Sequence, residues 1–309
     1  MPAKNPWIPV LVLLTVAVAS RPAIAAEPVA RHSTKEAALW TRLRARLEVI
    51  DRGLDGVLGI SVKDLRTGAT LEIRPDELFP QASSIKLAVL YELYRQADEG
   101  KVDLQAITGP PTPRVGGGGV LELLSDAVRM SWRDMAVLMM AGSDNDAANA
   151  VIDHVGLAAV NRRMDDLGLR STRLRRRMMD LEAARRGDEN VSTPGEMRRL
   201  VEVVHAGTGL SAARGRDMLA VGSTAKFSAF EVAPPAGVAV TGKTGYLEAV
   251  RCWSAVVAVP GRPYSVAVMA TYLKRDADGE AAVREIAAAL FETFDRLAHS
   301  SELGRVIGD

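Results

Sequence analysis

Strand-like patterns stand near both ends of the 309-residue chain and helical patterns fill the interval, and this order constrains the fold most. The apolar and β-branched runs typical of strands are residues 57–65, 69–74, 238–243, 250–259 and 264–273. Strands so far apart in sequence share one core only if the two ends of the chain come together. We therefore predict an α+β fold, in which one antiparallel sheet is built from the N- and C-terminal segments and an all-helical domain is inserted.

Helical patterns flank the strands and fill the insertion. Ser33-x-x-Glu36 is a capping box ahead of apolar residues at helical spacing, and a closing amphipathic helix is predicted over 280–298. Residues 85–97 predict a helix, and several short helices follow it. A cleft between the sheet and the helices is the natural place for a binding site. The predicted parts are residues 26–82 and 233–309 for the sheet, and residues 83–232 for the helices.

The first 25 residues have the pattern of a secretory signal peptide. Lys4 precedes a mostly apolar run, residues 7–19, and Ala23-Ile24-Ala25 offers small residues for cleavage. The run is too short to span a bilayer, although an uncleaved membrane anchor is the alternative. We therefore expect an exported protein, periplasmic or secreted, with no stable membrane span after cleavage.

Composition excludes several kinds of site. The 39 basic and 38 acidic residues nearly cancel, so the chain has no overall positive field for nucleic acid. Its single cysteine, Cys252, permits neither an internal disulfide nor a thiolate metal site. The four histidines include no His-x-x-x-His pair. We expect no metal, no cofactor and no nucleic-acid partner.

Ser83-x-x-Lys86 is the first of three short motifs that carry chemistry. Residues three apart share a helix face, so Lys86 can reach Ser83, and burial would lower the lysine pKa until its neutral amine accepts the serine proton. Taken alone, Ser83 is more typical of an ordinary helix cap than of a nucleophile. Ser223-x-x-Lys226 also matches, but it lies in a short polar stretch, whereas Ser83 opens a long apolar helix.

Ser143-Asp144-Asn145 and Lys243-Thr244-Gly245 are the second and third motifs. The second follows Gly142 and precedes a helix, so a plain cap is its alternative. The third also completes a phosphate-binding loop pattern that begins at Gly237, but strand residues stand inside that loop and another strand follows it. We therefore favour a lysine charge that binds a substrate carboxylate over a nucleotide site.

The three motifs in this order resemble those of class A β-lactamases, over roughly residues 33–300. The resemblance implies a β-lactamase-like fold and a monomeric hydrolase that opens β-lactam amides, or related acyl substrates, through a Ser83 acyl-enzyme. The implied catalytic residues are Ser83, Lys86 and Ser143. The implied substrate-binding residues are Asn145, Lys243, Thr244, Gly245, Tyr246, whose N–H would complete the oxyanion hole, and Arg251, for which a solvated strand charge is the alternative.

One element of that family is not matched. Efficient class A enzymes have a glutamate, with an asparagine four residues later, that activates the water for deacylation; neither Asp180 nor Glu182 has this asparagine. Either carboxylate could substitute from a shifted position, and otherwise turnover would be slow. The alternatives are therefore a cell-wall peptidase or esterase on the same scaffold, or a β-lactam-binding sensor that stays acylated. The arginine-rich run 173–186 is interpreted as a solvated loop, and glycines 116–119 as a cleft rim or linker.

Overall fold

The computed structural model describes residues 34–227, 232, 237–301 and 303–306, together with Met1. The chain divides into two units, Met1–Arg31 and His32–Asp309, and all elements below belong to the second. Apart from Met1, the predicted signal peptide lies outside the described residues, as does Ser33 of the capping box. In the described part no helix is both long and apolar enough to cross a membrane.

Helices and strands occur in the predicted order. The α-helices of the described residues are α1 (Thr34–Gly53), α2 (Lys86–Asp98), α3 (Trp132–Ala141), α4 (Asn145–Val155), α5 (Leu157–Asp166), α6 (Leu181–Arg185), α7 (Pro194–Ala206), α8 (Ala212–Gly222) and α9 (Asp276–Ala298). The strands are β1 (Val57–Asp64), β2 (Thr70–Ile73), β3 (Phe79–Pro80), β4 (Ile107–Thr108), β5 (Met130–Ser131), β6 (Val191–Ser192), β7 (Ala239–Leu247), β8 (Val250–Ala258) and β9 (Tyr264–Thr271).

Both ends of the chain contribute to one sheet, as predicted. Of the described strands, five pair in the order β2-β1-β9-β8-β7, and every pairing is antiparallel. The N-terminal β1 pairs with the C-terminal β9 along its whole length, from Val57 opposite Thr271 to Asp64 opposite Tyr264. The α+β fold with a sheet built from both termini is therefore confirmed.

The sheet is buried on both faces, and β9 shows how alternation divides its side chains. Val266 and Val268 pack in the cluster that includes α1 and α9, whereas Ala267 and Met269 pack in the cluster that includes α2 and α7. All four are fully buried. Because successive strand residues point to opposite faces, one strand supplies both cores. The sheet thus gives a rigid floor to the helices on either side.

Two sets of strand residues differ from the prediction. β7 continues to Leu247 rather than ending at residue 243, because Gly242 and Gly245 interrupt the apolar pattern without interrupting the pairing with β8. Lys243-Thr244-Gly245 therefore lies inside an edge strand. The two-residue pairs β3–β6 and β4–β5 were not predicted, since two residues carry no periodicity. The β3–β6 pair joins the chain just ahead of Ser83 to the chain just ahead of α7.

Candidate active site

The first two motifs and Tyr246, which follows the third, converge on one cavity. Ser83, Ser143, Asn145 and Tyr246 all line a cleft of about 340 Å³. Three non-glycine residues on its wall have the left-handed backbone that such residues rarely adopt: Ala82 (φ 46°), Ser143 (φ 56°) and Met179 (φ 62°). Strained backbone of this kind concentrates at functional sites, where the surrounding structure holds it. The cleft is accordingly our candidate active site.

Ser83 lies in a short 3₁₀ turn, Ala82–Ile85, rather than in the first turn of a regular α-helix. The neighbouring Ser84 is buried, and its Oγ lies 2.7 Å from both the carbonyl O and the side-chain Oε1 of Gln81. Ser83 is only partly buried and lines the cleft. The turn therefore buries one serine and leaves the adjacent hydroxyl for chemistry.

Gly245 allows β7 to pass directly beside this turn. A Cβ at Gly245 would lie 2.6 Å from the Gln81 carbonyl O and 3.0 Å from the Ser83 backbone N, so no larger residue fits without a shift of the backbone. β7 is an edge strand, and alternate N–H groups of an edge strand face away from its partner. This close approach places Ser83 and Tyr246 on the wall of the same cleft.

Lys86 is fully buried and lies at the meeting point of the motifs. Its Nζ donates to the Ser143 carbonyl O (2.6 Å), Ser143 Oγ (3.3 Å) and Asn145 Oδ1 (3.0 Å). Burial holds the Lys86 pKa well below its usual range, the charge of Lys243 lowers it further, and Asp144 opposes the shift. A buried lysine with a depressed pKa is suited to act as a base.

Ser83 Oγ is not among the hydrogen-bond partners of Lys86 in the described structure. Ser143 connects Lys86 with the cleft. Its Oγ lies 3.3 Å from Lys86 Nζ, and the residue lines the cleft together with Ser83. Catalytic hydrogen bonds are often long without substrate and shorten when substrate binds.

Asp144, the middle residue of the second motif, fixes the surrounding backbone. It is the N-cap of α4, where it accepts from Ala147 N (2.9 Å), and its other oxygen accepts from Val120 N and Leu121 N, both at 2.8 Å. A Cβ at Gly119 would lie 2.4 Å from the Asp144 carboxylate, so glycine is required there. The cap interpretation therefore applies to Asp144, while Ser143 and Asn145 remain directed into the site.

Asn145 ties the glycine segment 116–119 to the site. Its Nδ2 donates to the carbonyl oxygens of Gly116 (3.2 Å) and Gly117 (3.0 Å), and its backbone N donates to that of Gly118 (3.3 Å). The same side chain accepts from Lys86. The glycine segment is thus a fixed rim of the cleft rather than a plain linker.

Lys243 and Thr244 are buried and line an adjoining cavity of about 380 Å³. Lys243 Nζ donates to the Thr244 carbonyl O at 2.9 Å. Ser223 and Lys226, the second Ser-x-x-Lys pair, line this adjoining cavity, and Ser223 Oγ lies 2.7 Å from Thr241 Oγ1. The structure therefore separates Ser223 from the cleft that Ser83 lines.

Arg251 lines the cleft, but its guanidinium is fully engaged. Nε donates to Glu280 (3.1 Å), Nη1 donates to the carbonyl oxygens of Leu247 and Val250 (both 2.8 Å), and Nη2 contacts Asp276 (3.2 Å) and Glu280 (3.0 Å). Nε and Nη1 thus have hydrogen-bond acceptors, and Nη2 is ion-paired with two carboxylates. Arg251 is neither a solvated charge nor available to a substrate carboxylate; it joins the β7–β8 turn to α9.

The two predicted deacylation bases lie off the cleft. Asp180 is the N-cap of α6 and accepts from Ala183 N at 2.9 Å, and both it and Glu182 are exposed. Neither lines the cavity. This arrangement of the loop therefore gives neither carboxylate a route to an acyl group on Ser83.

The wall that this loop presents was not predicted. The loop residues that line the cleft are Arg176, Met178, Met179, Leu181 and Asn190. The interpretation of residues 173–186 as a solvated loop is wrong for Arg176, which is only 8% exposed. The carboxylates on the cleft wall lie elsewhere: Glu248 in the β7–β8 turn and Asp276, which is paired with Arg251. No sequence signal marks Arg176 among its neighbouring arginines.

Comparison with known proteins gives one consistent likeness. A family model described as "Beta-lactamase enzyme family" matches residues 41–294. A β-lactamase of Streptomyces fradiae is 32% identical over 151 residues, which are 47% of this chain and 49% of that protein. The chain spans about half the length of the curated relatives it matches.

Solved structures extend the likeness over most of the fold. A β-lactamase from Sphaerobacter thermophilus superposes with a TM-score of 0.74 at 27% identity, covering 82% of this chain and 97% of that one. A PBP-A variant, solved as an acyl-enzyme complex with penicillin G, has the same fold with a TM-score of 0.74 at 24% identity, covering 82% of this chain and 97% of that one.

Proposed function

Because this chain belongs to the β-lactamase enzyme family, we propose that it opens β-lactam amides through an acyl-enzyme on Ser83. The single observation that carries the proposal is the buried Lys86, which contacts both Ser143 and Asn145 on the wall of the cleft that Ser83 lines. The first two motifs, which lie far apart along the chain, thus share one buried amine beside the cleft.

The acylation step needs a base, an oxyanion site and a proton for the leaving nitrogen. Neutral Lys86 takes the Ser83 proton, directly or through Ser143, and Ser83 Oγ attacks the amide carbonyl carbon. The backbone N–H groups of Ser83 and Tyr246 stabilise the oxyanion. When the C–N bond breaks, Ser143 gives its proton to the nitrogen and recovers one from Lys86. The products are a Ser83 ester and the opened amine, so protons balance.

Substrate binding is assigned to the third motif and Asn145. Lys243 supplies the positive charge for a substrate carboxylate, Thr244 adds a hydroxyl, and the Asn145 amide holds Lys86 and the glycine rim in place around the substrate. Their burial supports this assignment, since charge and hydrogen bonds act more strongly in a site shielded from water.

We infer further that deacylation is the slow step. The described loop residues on the wall beside Ser83 are an arginine, two methionines, a leucine and an asparagine, and none of them carries a carboxylate. A positioned general base typically accelerates such a step by about 10²- to 10⁴-fold. Of the alternatives, a sensor that stays acylated is therefore favoured over a peptidase or esterase. The PBP-A variant named above, an acyl-enzyme with penicillin G, illustrates such a state on this fold.

Intact mass after mixing with benzylpenicillin, together with colour release from a chromogenic cephalosporin, tests the function. We expect an adduct equal to the mass of the whole antibiotic, because ring opening loses no atoms, and slow colour release. Rapid catalytic colour release would support β-lactam hydrolysis and contradict slow deacylation. Absence of both adduct and colour release would contradict the proposal itself.

Acylation is expected to rise with pH until Lys86 is deprotonated. Only the neutral amine accepts a proton, so the rate increases about tenfold per pH unit below the Lys86 pKa and is level above it. Because that pKa is held well below 10.5, the plateau begins well below pH 10.5. Stopped-flow acylation between pH 5 and 10 measures the profile, and a rate still rising steeply at pH 10 would contradict Lys86 as the base.

The division of the chain into a sheet part and a helical part stays a prediction. We propose that the protein is exported, on the basis of the signal-peptide pattern in residues 1–25. N-terminal sequencing of protein recovered from the cell exterior tests the cleavage near residue 26.

A further inference from the structure

Arg176 is the second guanidinium on the wall of the cleft, and it differs from Arg251 in how its donors are used. Its Nη2 donates to Glu189 Oε2 at 2.9 Å and its Nη1 to the Arg177 carbonyl O at 3.3 Å. Its Nε is buried and has no acceptor among the described residues. Two hydrogen bonds to described residues thus use two of the five donors of this guanidinium, whereas Arg251 makes three hydrogen bonds and two further ion-pair contacts.

The backbone around Arg176 is held firmly in place. Asn190 Oδ1 accepts from Arg175 N (2.7 Å) and Arg176 N (3.0 Å), and Asn190 Nδ2 donates back to the Arg176 carbonyl O (3.1 Å). Asn190 is itself buried. A buried donor without an acceptor costs free energy, and a fixed backbone prevents the side chain from escaping to solvent. The guanidinium therefore keeps hydrogen-bonding capacity that the described residues do not use, on the wall of the cleft.

The position of Arg176 indicates which part of a substrate it would contact. Arg176 lines the cleft together with Ser83, whereas Lys243 and Thr244 line a second cavity. Because Ser83 receives the acyl group, a substrate whose ring carboxylate binds at Lys243 would have its acyl side chain in the cleft that Arg176 lines. A guanidinium fork matches a carboxylate in shape and charge.

Glu189 offsets the positive charge of the Arg176 guanidinium only in part. Its side chain is 28% exposed, while that of Arg176 is 7% exposed, so solvent screens the carboxylate more than the guanidinium. Met178 and Met179, on the same wall, are flexible side chains that adapt to a bound group.

We propose that Arg176 is a specificity-determining residue that binds a carboxylate on the acyl side of the substrate. The preferred acyl donor then carries two anionic groups, one at Lys243 and one at Arg176, with the scissile amide between them at Ser83. This inference rests on the proposed acylation of Ser83.

Carbenicillin and benzylpenicillin are a matched pair for the test, because they differ only in a carboxylate on the acyl side chain. The quantity measured is the ratio of their second-order acylation rate constants, from mass spectrometry of quenched samples. We expect Arg176→Gln to lower the carbenicillin to benzylpenicillin ratio by about tenfold or more, as for a lost hydrogen bond to a charged group. The matched control is Arg177→Gln, which removes an exposed arginine paired with Asp153 and should leave the ratio unchanged.

Wild-type protein gives a second measurement that does not depend on the folding of a variant. If Arg176 binds the added carboxylate, the ratio falls as salt is raised from about 20 mM to about 500 mM, because screening weakens the second charge contact more than it affects benzylpenicillin. An unchanged ratio in Arg176→Gln, or a wild-type ratio below one that rises with salt, would overturn the inference. Should neither antibiotic acylate Ser83, the proposed function fails first and the inference fails with it.

Discussion

Replacing Ser83 with alanine is expected to abolish the β-lactam adduct and to slow opening of the β-lactam by roughly 10⁶-fold, the scale seen when a catalytic serine is removed from a hydrolase. Ser83 lines the cleft with Ser143 and Asn145, and no other hydroxyl in our proposal receives the acyl group. Intact mass after incubation with benzylpenicillin measures the adduct, and thermal unfolding verifies that the variant is folded.

Ser223→Ala is the matched control for this substitution. Ser223 belongs to the other Ser-x-x-Lys sequence, but it lines the adjoining cavity and its hydroxyl bonds to Thr241. We expect the adduct still to form in this variant, because the acyl-accepting hydroxyl of Ser83 is intact. The thiol of Cys252 is not an alternative site, because burial raises its pKa to about 12 and only the thiolate is a good nucleophile. An adduct that persists in Ser83→Ala and disappears in Ser223→Ala would reverse the assignment.

The parts of the fold that depend on local pattern could be predicted from the sequence. Ser131 and Thr193 accept from the backbone N of Asp134 and Glu196, as their spacing predicts, and Gly142 ends α3. Each of these signals involves residues within one or two helical turns. The pairing of β1 with β9 follows from the placement of strand patterns at both ends of the chain.

Features made by contacts between distant segments could not be predicted. Arg251 is paired with acidic residues of α9, Asp276 and Glu280, and nothing in the spacing identifies those partners. Arg176 lies within a run of arginines, and only the tertiary contacts of Asn190 and Glu189 distinguish it from the exposed ones. Sequence identified the motifs of the site, and the long-range pairing decides which charges near them are available.

Placing a carboxylate on the loop wall is expected to speed deacylation. Leu181 lines the cleft, is 53% exposed, and follows the Asp180 cap as the first residue of α6. A glutamate there costs little burial, because the side chain at this position is already exposed and faces the cleft wall. We expect Leu181→Glu to shorten the lifetime of the Ser83 adduct by about 10²-fold, the lower end of the contribution of a positioned base.

Leu181→Gln is the matched control, since the glutamine side chain has nearly the same shape as glutamate but cannot accept a proton as a base. The lifetime is measured by intact mass after excess antibiotic is removed, and hydrolysed product should appear as adduct disappears. Water adds to the ester carbonyl, the introduced carboxylate takes its proton, and Ser83 leaves as the restored alcohol. Equal lifetimes in the glutamate and glutamine variants would contradict the inference that a missing base limits turnover.

Glu248 is the carboxylate to test if the wild-type adduct is short-lived. It is an exposed carboxylate in the β7–β8 turn and lines the same cleft, so a wild-type adduct that disappears rapidly would make it the candidate base. In that case Glu248→Gln should lengthen the lifetime by about 10²-fold or more, and Leu181→Glu should add little. If the wild-type adduct is long-lived, as we infer, Glu248→Gln should leave its lifetime unchanged, because the carboxylate in the turn then does not reach the water that attacks the ester.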